Sequence, residues 1–324
     1  MKAAVYTSKG SAAEVLRIVE RPVPEPAGDE VRVKLAFSGV NPSDAKTRGR
    51  PRMDYPEVIP HSDGAGVVDA LGPQAPRELL KRRVWVYNGQ WERAQGTAAQ
   101  YISLPSSQVV PLPDGVPFEA GASLGIPLMT AHHAVQACGS LVGKTVLVPG
   151  AAGSVGFYAA QLARLAGARV IASVSSEEKA DLARAAGADS VVNYRTEDIV
   201  KRVRALTGGR GVDCLIDVDA ASHASKYGDL LVFGGKAVIY GSNAAEVSLP
   251  FRPLIMSFAT LYFFIVYRLP KDLLSETSAA ITGLLAREDL KHPEVAIYPL
   301  DQIAEAHRRV EQGANAKVLV RLPE

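Results

Sequence analysis

The residues best suited to cofactor binding lie in the segment TVLVPGAAGSVG, from Thr145 to Gly156. Gly150, Gly153 and Gly156 follow a short apolar run and precede a segment with helical spacing. Glycines let a turn between a strand and a helix approach a pyrophosphate closely, and the helix start offers unpaired N–H groups to that anion. The spacing G-x-x-G-x-x-G is also compatible with a purely structural turn, so the motif alone leaves both interpretations open.

The end of the next apolar segment, residues 168–174, indicates which cofactor would fit. An NAD site usually places Asp or Glu at the end of this second strand, where it binds the ribose 2′-hydroxyl. Ser175 and Lys179 stand there instead, and they would hold a 2′-phosphate that a carboxylate would repel. Glu177 and Glu178 are interpreted as first-turn helix residues, where negative charge suits the helix dipole. The pattern predicts NADP(H) rather than NAD(H).

Other chemically active side chains form no predicted catalytic set or metal site. His132 and His133 are adjacent on a predicted helix, so they cannot face one point and are predicted to pack or to be exposed. Asp217 and Asp219 follow a predicted strand and are interpreted as loop residues near the rim of the cofactor site. The two cysteines are too few for a disulfide framework or a four-cysteine zinc site.

Two kinds of structure would hold these residues. The first 122 residues look strand-rich, with alternating apolar and polar residues at 31–40 and many prolines in turns. From residue 123, apolar strands alternate with helices, which predicts a parallel, doubly wound sheet. Its five predicted strands are 146–148, 170–174, 191–193, 214–218 and 236–240. The tail is predicted to form a helix over 302–311 and a strand over 317–322 that returns to the first domain.

Composition limits the class of protein. A chain of 324 residues with 47% hydrophobic residues predicts two globular domains, and a net charge of +2 argues against a nucleic-acid partner. The start of the chain lacks the apolar core of a signal peptide, so a cytoplasmic location is expected. The apolar stretch 254–266 is shorter than the roughly 20 residues of a membrane span. It is predicted to form a buried strand after a short helical piece, or a subunit interface.

Six segments together resemble one family. They are GVNPSDAKTR (39–48), HSDGAGVV (61–68), LGIPLMTAHHA (124–134), GAAGSVG (150–156), GADSVVNYR (187–195) and VIYGS (238–242). In order and spacing they resemble the zinc-independent, zeta-crystallin-like quinone oxidoreductases of the medium-chain dehydrogenase/reductase superfamily. The resemblance covers essentially the whole chain. It implies an α/β fold with a GroES-like β-rich catalytic domain, 1–122 and 268–324, and a Rossmann NADP-binding domain, 123–267, with a cleft between them.

The same resemblance bears on zinc. Zinc-dependent relatives carry a Cys in the first segment, a His–Glu pair in the second and a Cys in the third. The corresponding positions here are Asn41, Ser62–Asp63 and Ile126, which leave too few zinc ligands. We therefore expect no metal. Without a Lewis acid, the chain is expected to reduce an electrophilic substrate rather than to oxidise an unactivated alcohol.

The resemblance also implies a set of cofactor contacts. Thr130 would lie near the nicotinamide ribose, and Ser175, Lys179 and Tyr194 would surround the 2′-phosphate. The remaining contacts belong to the glycine turn, to the end of the last predicted sheet strand and to a segment at the nicotinamide end: Ala152, Gly153, Ser154, Val155, Gly156, Tyr240, Gly241, Ser242, Asn243, Ile265, Val266 and Tyr267. Each of these three residues also has an interpretation without a cofactor contact: Thr130 as a first-turn helix residue, Tyr194 as a packed aromatic and Lys179 as a solvated surface residue.

Three residues are the catalytic candidates: Asn41, Asp44 and Lys46. Asn41 can donate and accept hydrogen bonds, so it could orient the substrate or the nicotinamide ribose. Asp44 is equally well interpreted as a helix cap, because the sequence N-P-S-D is typical of one. Lys46 stands where the family often has Tyr, and we hypothesise that it supports negative charge developing on a quinone oxygen.

The predicted function is NADPH-dependent reduction of a quinone by hydride transfer from nicotinamide C4. One alternative is NADPH-dependent reduction of activated C=C bonds in enones or haloacrylates. Another, from a different class, is an NADPH-binding structural or RNA-binding protein with little turnover. A homodimer is expected from the family resemblance and from the apolar stretch 254–266, without a membrane or nucleic-acid partner.

Overall fold

In the computed structural model, which describes residues 1–50 and 53–324, the chain folds into two units. One unit combines Met1–Ile126 with Ser278–Glu324, and the other is Pro127–Thr277. The boundaries expected from the sequence, 122/123 and 267/268, come earlier in the chain than these. The second boundary falls inside a helix, Lys271–Ala286, whose continuous sequence pattern gives no sign of a change of unit.

The N-terminal part of the first unit is mostly strands. The elements of this part are β1 (Lys2–Val5), α1 (Ala12–Val15), β2 (Arg17–Glu20), β3 (Glu30–Val40), α2 (Pro42–Gly49), β4 (Asp63–Leu71), β5 (Arg83–Val86), β6 (Tyr101–Pro105), β7 (Val109–Pro111) and α3 (Phe118–Gly121). The long strand β3 alternates as the sequence predicts: Val31, Val33 and Leu35 are buried, whereas Arg32 and Lys34 are not.

The second unit is an alternation of strands and helices around a parallel sheet. Its elements are α4 (Met129–Cys138), β8 (Thr145–Pro149), α5 (Ser154–Leu165), β9 (Arg169–Val174), α6 (Glu177–Ala185), β10 (Ser190–Asn193), α7 (Ile199–Leu206), β11 (Val212–Asp217), α8 (Ala220–His223), α9 (Tyr227–Leu230), β12 (Leu231–Ile239), α10 (Phe251–Met256), β13 (Thr260–Phe263) and α11 (Lys271–Ala286). The strand order is β10-β9-β8-β11-β12-β13, so the five predicted strands are present and β13 extends the sheet.

The C-terminal segment completes the first unit with β14 (Val295–Pro299), α12 (Ile303–Glu311) and β15 (Lys317–Arg321). Strand β15 lies between β14 and β3, and it runs antiparallel to β3 with Val318 opposite Val40. The sheet order is β14-β15-β3-β4-β5-β7, with β6 also paired to β3. The prediction that the last strand returns to the first domain is confirmed.

Each unit has its own apolar core. Val31, Leu104 and Val318 are among the buried side chains of the first unit's core. Leu147 and Ile171 come from neighbouring strands in the core of the second unit. All of these residues except Leu104 lie on predicted strands, so the strand pattern of the sequence also identifies part of both cores. No helix of the described ranges is long and apolar enough to cross a membrane.

The apolar stretch 254–266 differs from its prediction in one respect. A short helix and then a strand are present, as α10 and β13, but the burial expected of a core strand is wrong, and the alternative of a subunit interface stays a prediction. Leu254 is buried, whereas Met256, Phe258 and Phe263 are largely exposed. The reason is topological: β13 is the edge strand of its sheet and has β12 as its one strand neighbour among the described residues.

Candidate cofactor site and buried polar cluster

The glycine turn after β8 has the backbone conformation that glycine allows. Gly150 has a φ of 67°, in the left-handed region that residues with a Cβ seldom adopt. The Gly153 amide donates to the Gly150 carbonyl at 2.8 Å, and Gly153 is the N-cap of α5. A Cβ on Gly156 would overlap the carbonyl oxygen of Gly150. The motif is therefore a tight turn in which two of the three glycines have a steric reason.

The same turn fits an anion. Ser154, Val155 and Gly156 open α5, so their N–H groups have no carbonyl partner inside the helix. These N–H groups and the positive end of the helix dipole lie beyond the carboxyl end of β8, where open parallel sheets bind ligands. The predicted contacts Ala152, Gly153, Ser154, Val155 and Gly156 are thus one continuous turn, with the chemistry that a pyrophosphate requires.

Beside this turn, the ends of β9 and β10 bring three predicted residues to one edge. Ser175 directly follows β9, and the amide of Tyr194 donates to the carbonyl of Val174, the last residue of that strand, at 3.0 Å. Ser176 caps α6 by accepting from the amide of Lys179 at 3.3 Å. Ser175, Lys179 and Tyr194 therefore belong to the segments that follow β9 and β10 at this edge of the sheet.

The acidic residues at this edge lie where the sequence places them. Glu177 and Glu178 are in the first turn of α6 and are exposed, which confirms their interpretation as helix residues. The last residue of β9 is Val174, and the position that follows it is a serine rather than a carboxylate. The segment directly after β9 consequently carries two serine hydroxyls, of Ser175 and Ser176, where an NAD site usually has a carboxylate.

The loop after β12 is held by an aspartate. Asn243 donates its backbone amide and its side-chain Nδ2 to the two carboxylate oxygens of Asp219, each at 2.8 Å. Gly241 accepts a hydrogen bond from the Ala220 amide at 3.0 Å, and Ser242 Oγ donates to the Ala244 carbonyl at 2.8 Å. This network places Gly241, Ser242 and Asn243 directly beyond the sheet, as predicted, and Tyr240 immediately precedes them.

Asp217 has a role that the sequence does not suggest. It is the last residue of β11 rather than a loop residue, and it is fully buried. Its carboxylate accepts from the Tyr227 hydroxyl at 2.6 Å and from the Asp219 amide at 2.9 Å, and it pairs with His223 Nδ1 at 2.7 Å. Because these donors satisfy it, Asp217 supports the loop that carries Asp219 and does not form the rim of the site.

The remaining cofactor candidates are on α4 and after β13. Thr130 is buried in the first turn of α4. Of the segment Ile265, Val266 and Tyr267, Val266 is buried and Ile265 is partly exposed. His133, also on α4, forms a 3.0 Å hydrogen bond with the Tyr262 hydroxyl. Thr130 and the segment after β13 therefore come from neighbouring elements, and their cofactor contacts stay predictions.

In the first unit, Asn41 is part of a buried polar cluster with residues from two other strands. Asn41 Nδ2 donates to Asp63 Oδ2 at 2.7 Å, and Lys317 Nζ donates to Asn41 Oδ1 at 2.7 Å and lies 3.3 Å from Asp63 Oδ2. The other oxygen of Asp63 accepts from the Ile126 amide at 2.7 Å. Asn41 is 3% exposed, Asp63 0% and Lys317 1%, so these charges are paired away from water.

Asp44 joins the cluster from α2. Its Oδ2 accepts from the backbone amide of Asn41 at 2.7 Å, which confirms the helix-cap interpretation. Burial, and then the nearby Asp63 carboxylate, raises the pKa of Asp44 to about 7, although the Asn41 hydrogen bonds and the Lys317 ammonium act in the opposite direction. Lys46 lies on the same helix with its side chain exposed. The structure thus brings Asn41 and Asp44 together, and Lys46 is placed on the outer face.

Lys317 and the histidine pair His61–His307 are buried polar groups that could not be predicted from the sequence. Lys317 lies far along the chain from Asn41, and its only signal in the sequence is a cation directly before the apolar run VLV of the strand KVLVR. His61 and His307 are both fully buried, with their Nε2 atoms 2.8 Å apart and their rings stacked. Ser38 Oγ lies 2.8 Å from His61 Nδ1. Nothing in the local sequence indicates that His61 and His307 meet.

Asn41 and Asp63, which stand at positions that correspond to zinc ligands in related enzymes, form hydrogen bonds with each other and with Lys317. Within residues 1–50 and 53–324, no cluster of three or more His, Cys, Asp or Glu side chains could hold a metal ion. Both oxygens of Asp63 already accept hydrogen bonds, and the amide of Asn41 is bonded at its oxygen and its nitrogen. An ammonium group, that of Lys317, is the cation among these residues.

Comparison with known proteins agrees with this architecture. Residues 27–114 match the model of the alcohol dehydrogenase GroES-like domain, and residues 154–282 match that of zinc-binding dehydrogenases. The chain is 30% identical to human quinone oxidoreductase over 321 residues, which cover 97% of this chain and 95% of the human protein.

Solved structures give the same result. A crystal structure of an NAD-dependent alcohol dehydrogenase is 31% identical, with a TM-score of 0.88 and complete coverage of both chains. The mycobacterial protein Rv1454c in complex with NADPH is 28% identical, with a TM-score of 0.87 and 99% coverage of both chains. These similarities confirm the GroES-like and Rossmann folds. The chain belongs to the quinone oxidoreductases of the medium-chain dehydrogenase/reductase superfamily, and it is an oxidoreductase that uses a nicotinamide cofactor.

Proposed function

We propose that this protein is an NADPH-dependent quinone reductase that works without zinc. The observation that carries the proposal is the edge formed by Ser175, Lys179 and Tyr194 beside the anion-binding turn of α5. A 2′-phosphate carries negative charge, so an ammonium and hydroxyls at this edge stabilise it, whereas the carboxylate of an NAD site would repel it.

The proposed cofactor contacts divide by chemistry. The N–H groups of Ser154, Val155 and Gly156 bind the pyrophosphate, and Ser175 and Lys179 bind the 2′-phosphate. Thr130, the loop from Tyr240 to Asn243 and the segment 265–267 enclose the nicotinamide half. When bound, the cofactor supplies a hydride from nicotinamide C4.

The protein's part in the reaction is to orient the acceptor and to exclude water. A quinone is already electrophilic, so its reduction does not require a Lewis acid, and positioning of the reactants supplies most of the rate enhancement. We assign acceptor orientation to Asn41 and place Asp44 beside it. Lys46, which is exposed on α2, remains the hypothesised support for charge on a quinone oxygen.

We further propose that the protein works as a homodimer formed through the edge of the Rossmann sheet. Strand β13 is unpaired on its outer side among the described residues, and exposed apolar side chains surround it. Phe258 is 71% exposed and Phe263 58%, and unpaired strand edges with such side chains favour pairing with another chain. A second copy of this chain presents the same edge and can pair with it symmetrically.

The test of function is NADPH oxidation, followed by absorbance, with 1,4-benzoquinone and 9,10-phenanthrenequinone, with and without EDTA and with NADH for comparison. Rapid oxidation that prefers NADPH and does not respond to the chelator supports the proposal. Product analysis with acyclic enones tests reduction of activated C=C bonds, because a saturated ketone is not reoxidised as a hydroquinone is. Tight NADPH binding without oxidation by either class of acceptor would instead favour a non-catalytic protein.

A further inference from the structure

The buried cluster of Asn41, Asp44, Asp63 and Lys317, hereafter the 41–317 cluster, contains an unequal number of charges. Two carboxylates face one ammonium, so full ionisation would leave a net charge of −1 away from water. Burial of an unpaired charge is costly, and a group in that position takes up a proton instead. The cluster therefore reaches neutrality by holding one proton.

Hydrogen bonding decides which carboxylate holds the proton. Asp63 accepts from Asn41 Nδ2 and from the Ile126 amide, both at 2.7 Å, and forms an ion pair with Lys317 at 3.3 Å. Asp44 accepts from the Asn41 amide at 2.7 Å and has no ion pair with Lys317. Donors and cations favour the ionised form of a carboxyl, so the proton belongs on Asp44.

Other charged groups near Asp44 do not change this balance. Lys317 acts on it from β15 and Asp63 from β4, and these charges have opposite signs. Tyr6, which follows β1, is neutral, because burial and the nearby Asp44 raise its pKa to about 12. His61 is buried near Lys317, and desolvation keeps it neutral by lowering its pKa. On α2 itself, Arg48 is bound to Glu311 and to the Gly10 carbonyl.

We propose that the 41–317 cluster is a proton store for the reduction, in which Asp44 carries the proton and Lys317 is the positioning residue that fixes Asp63 and Asn41 around it. The role in reduction rests on the proposed function. Quinone reduction to a hydroquinone takes up two electrons and two protons, which is one hydride and one proton. The hydride brings both electrons and one hydrogen to the ring system, and the Asp44 carboxyl gives the second hydrogen as a proton to the hydroquinone oxygen. Asp44 is left as a carboxylate and regains a proton from solvent.

The first experiment detects the proton without any substrate. Infrared difference spectra of the full-length apoprotein, recorded between about pH 5 and about pH 9, follow the carbonyl band of a protonated carboxylic acid. We expect a band that titrates near neutral pH in the wild type and is lost in Asp44→Asn. Asparagine keeps an acceptor for the Asn41 amide, so α2 retains its cap. A band that persists near neutral pH in Asp44→Asn would place the proton elsewhere and overturn the inference.

Lys317→Met tests the positioning role. Loss of the ammonium should raise the midpoint of the Asp44 titration by about one pH unit, since a tenfold change in the proton equilibrium is one unit. The pH profile of kcat/KM should move in the same direction by the same amount. Lys201→Met, the same substitution at an exposed lysine, is the control and should move neither midpoint. An unshifted midpoint in folded Lys317→Met would contradict the positioning role.

A second variant covers the case in which Lys317→Met does not fold, and the infrared readout separates failure of the proton store from failure of the proposed function. If Lys317→Met does not fold, Lys317→Met with Asp63→Leu removes both members of the buried ion pair and leaves no charge without a partner. We expect this double variant to keep the Asp44 band, and its loss would overturn the assignment. The spectra do not depend on turnover, so a titrating Asp44 in a protein that reduces no quinone would refute the proposed function alone. Quinone reduction without the titrating band would refute the proton store alone.

Discussion

The single residue with the clearest consequence for cofactor choice is Lys179. Its side chain is partly exposed at the edge that we assign to the 2′-phosphate. We expect Lys179→Met to lower the ratio of kcat/KM for NADPH to that for NADH by about tenfold, which corresponds to about 1.4 kcal/mol. The measurement is initial-rate kinetics with both cofactors and one quinone.

Lys201→Met serves as the matched control for this ratio, because Lys201 is an exposed lysine on α7 in the same unit. If Lys179→Met and Lys201→Met left the ratio equally unchanged, Lys179 would be an ordinary solvated surface residue and the proposed preference for NADPH would need another cause.

The buried histidine pair predicts sensitivity to acid. Burial lowers the pKa of His307 to about 3 and lowers the pKa of His61 well below its usual value. In the unfolded chain a histidine binds its proton at about pH 6.5. The contribution of the two neutral histidines to the free energy of unfolding is therefore fully present above that pH, and it is lost as the pH decreases toward their pKa values in the folded state. Each histidine contributes a slope of about 1.4 kcal/mol per pH unit in that range.

Urea unfolding at about pH 7 and about pH 5 measures this effect. We expect His307→Leu to lose less stability than the wild type between these two pH values, whatever its stability at pH 7, because the buried imidazole is absent. Asp44, with its raised pKa, acts in the opposite direction in both proteins and cancels from the comparison. Equal losses in the two proteins would refute the prediction.

At this scale the sequence identifies residues but not their partners. Asn41 and Asp44 could be predicted as polar candidates because they follow a long strand and carry recognisable capping chemistry. Lys317 could not, since its hydrogen bond to Asn41 joins positions 276 residues apart. The stacking of His61 on His307 likewise depends on the approach of α12 to the segment that precedes β4, which no local pattern encodes.

At the scale of elements, the turn between β8 and α5 is the most constrained. Gly156→Ala places a methyl group against the Gly150 carbonyl. Although alanine favours helices, we expect the overlap to lower the free energy of unfolding by about 1–3 kcal/mol. NADPH affinity, measured by fluorescence titration, should fall about tenfold or more, because the pyrophosphate contacts depend on this backbone.

Gly283→Ala is the control for the helical glycine substitution. Gly283 lies in α11, and a Cβ built there meets no atom within 4 Å. Relief of backbone entropy should stabilise that variant by about 0.5–1 kcal/mol and leave NADPH affinity unchanged. If Gly156→Ala behaved like Gly283→Ala, the close approach would have no energetic effect.

Most elements of the second unit follow from hydrophobic periodicity. The strands at 146–148 and 170–174 are nearly as predicted, because central strands of a parallel sheet are continuous apolar runs. Burial of 254–266 could not be predicted in the same way. An apolar strand has the same pattern whether a neighbouring strand or a second molecule covers it.

At the scale of the whole molecule, the exposed edge of the Rossmann sheet predicts the oligomeric state. Phe263→Asp places a charge on β13, and we expect it to convert the proposed dimer to a monomer by at least a tenfold increase in the dissociation constant. Sedimentation velocity measures this change. Val142→Asp is the control, because Val142 is an exposed apolar residue, 76% exposed, in a loop away from β13.

A dimer that persists in Phe263→Asp, or one that Val142→Asp disrupts equally, would show that the assembly uses another surface.

The return of the chain to its first unit was predictable at this scale, because the apolar strand 317–322 follows a helix that completes no further βαβ repeat. The unit boundaries were not, because α11 continues through one of them.

The position of β15 in the first unit's sheet also has a consequence for biosynthesis. This strand lies between β14 and β3, near the end of the sequence, whereas β3 is among the first elements that a ribosome would release. The second unit can fold as soon as it is synthesised, because all its strands lie between residues 145 and 263. The first unit must wait with an open sheet edge until β15 has been synthesised, a period when unpaired strands are prone to misassociation. We therefore expect nascent chains that stop before Lys317 to contain a folded Rossmann unit beside an incomplete GroES-like unit.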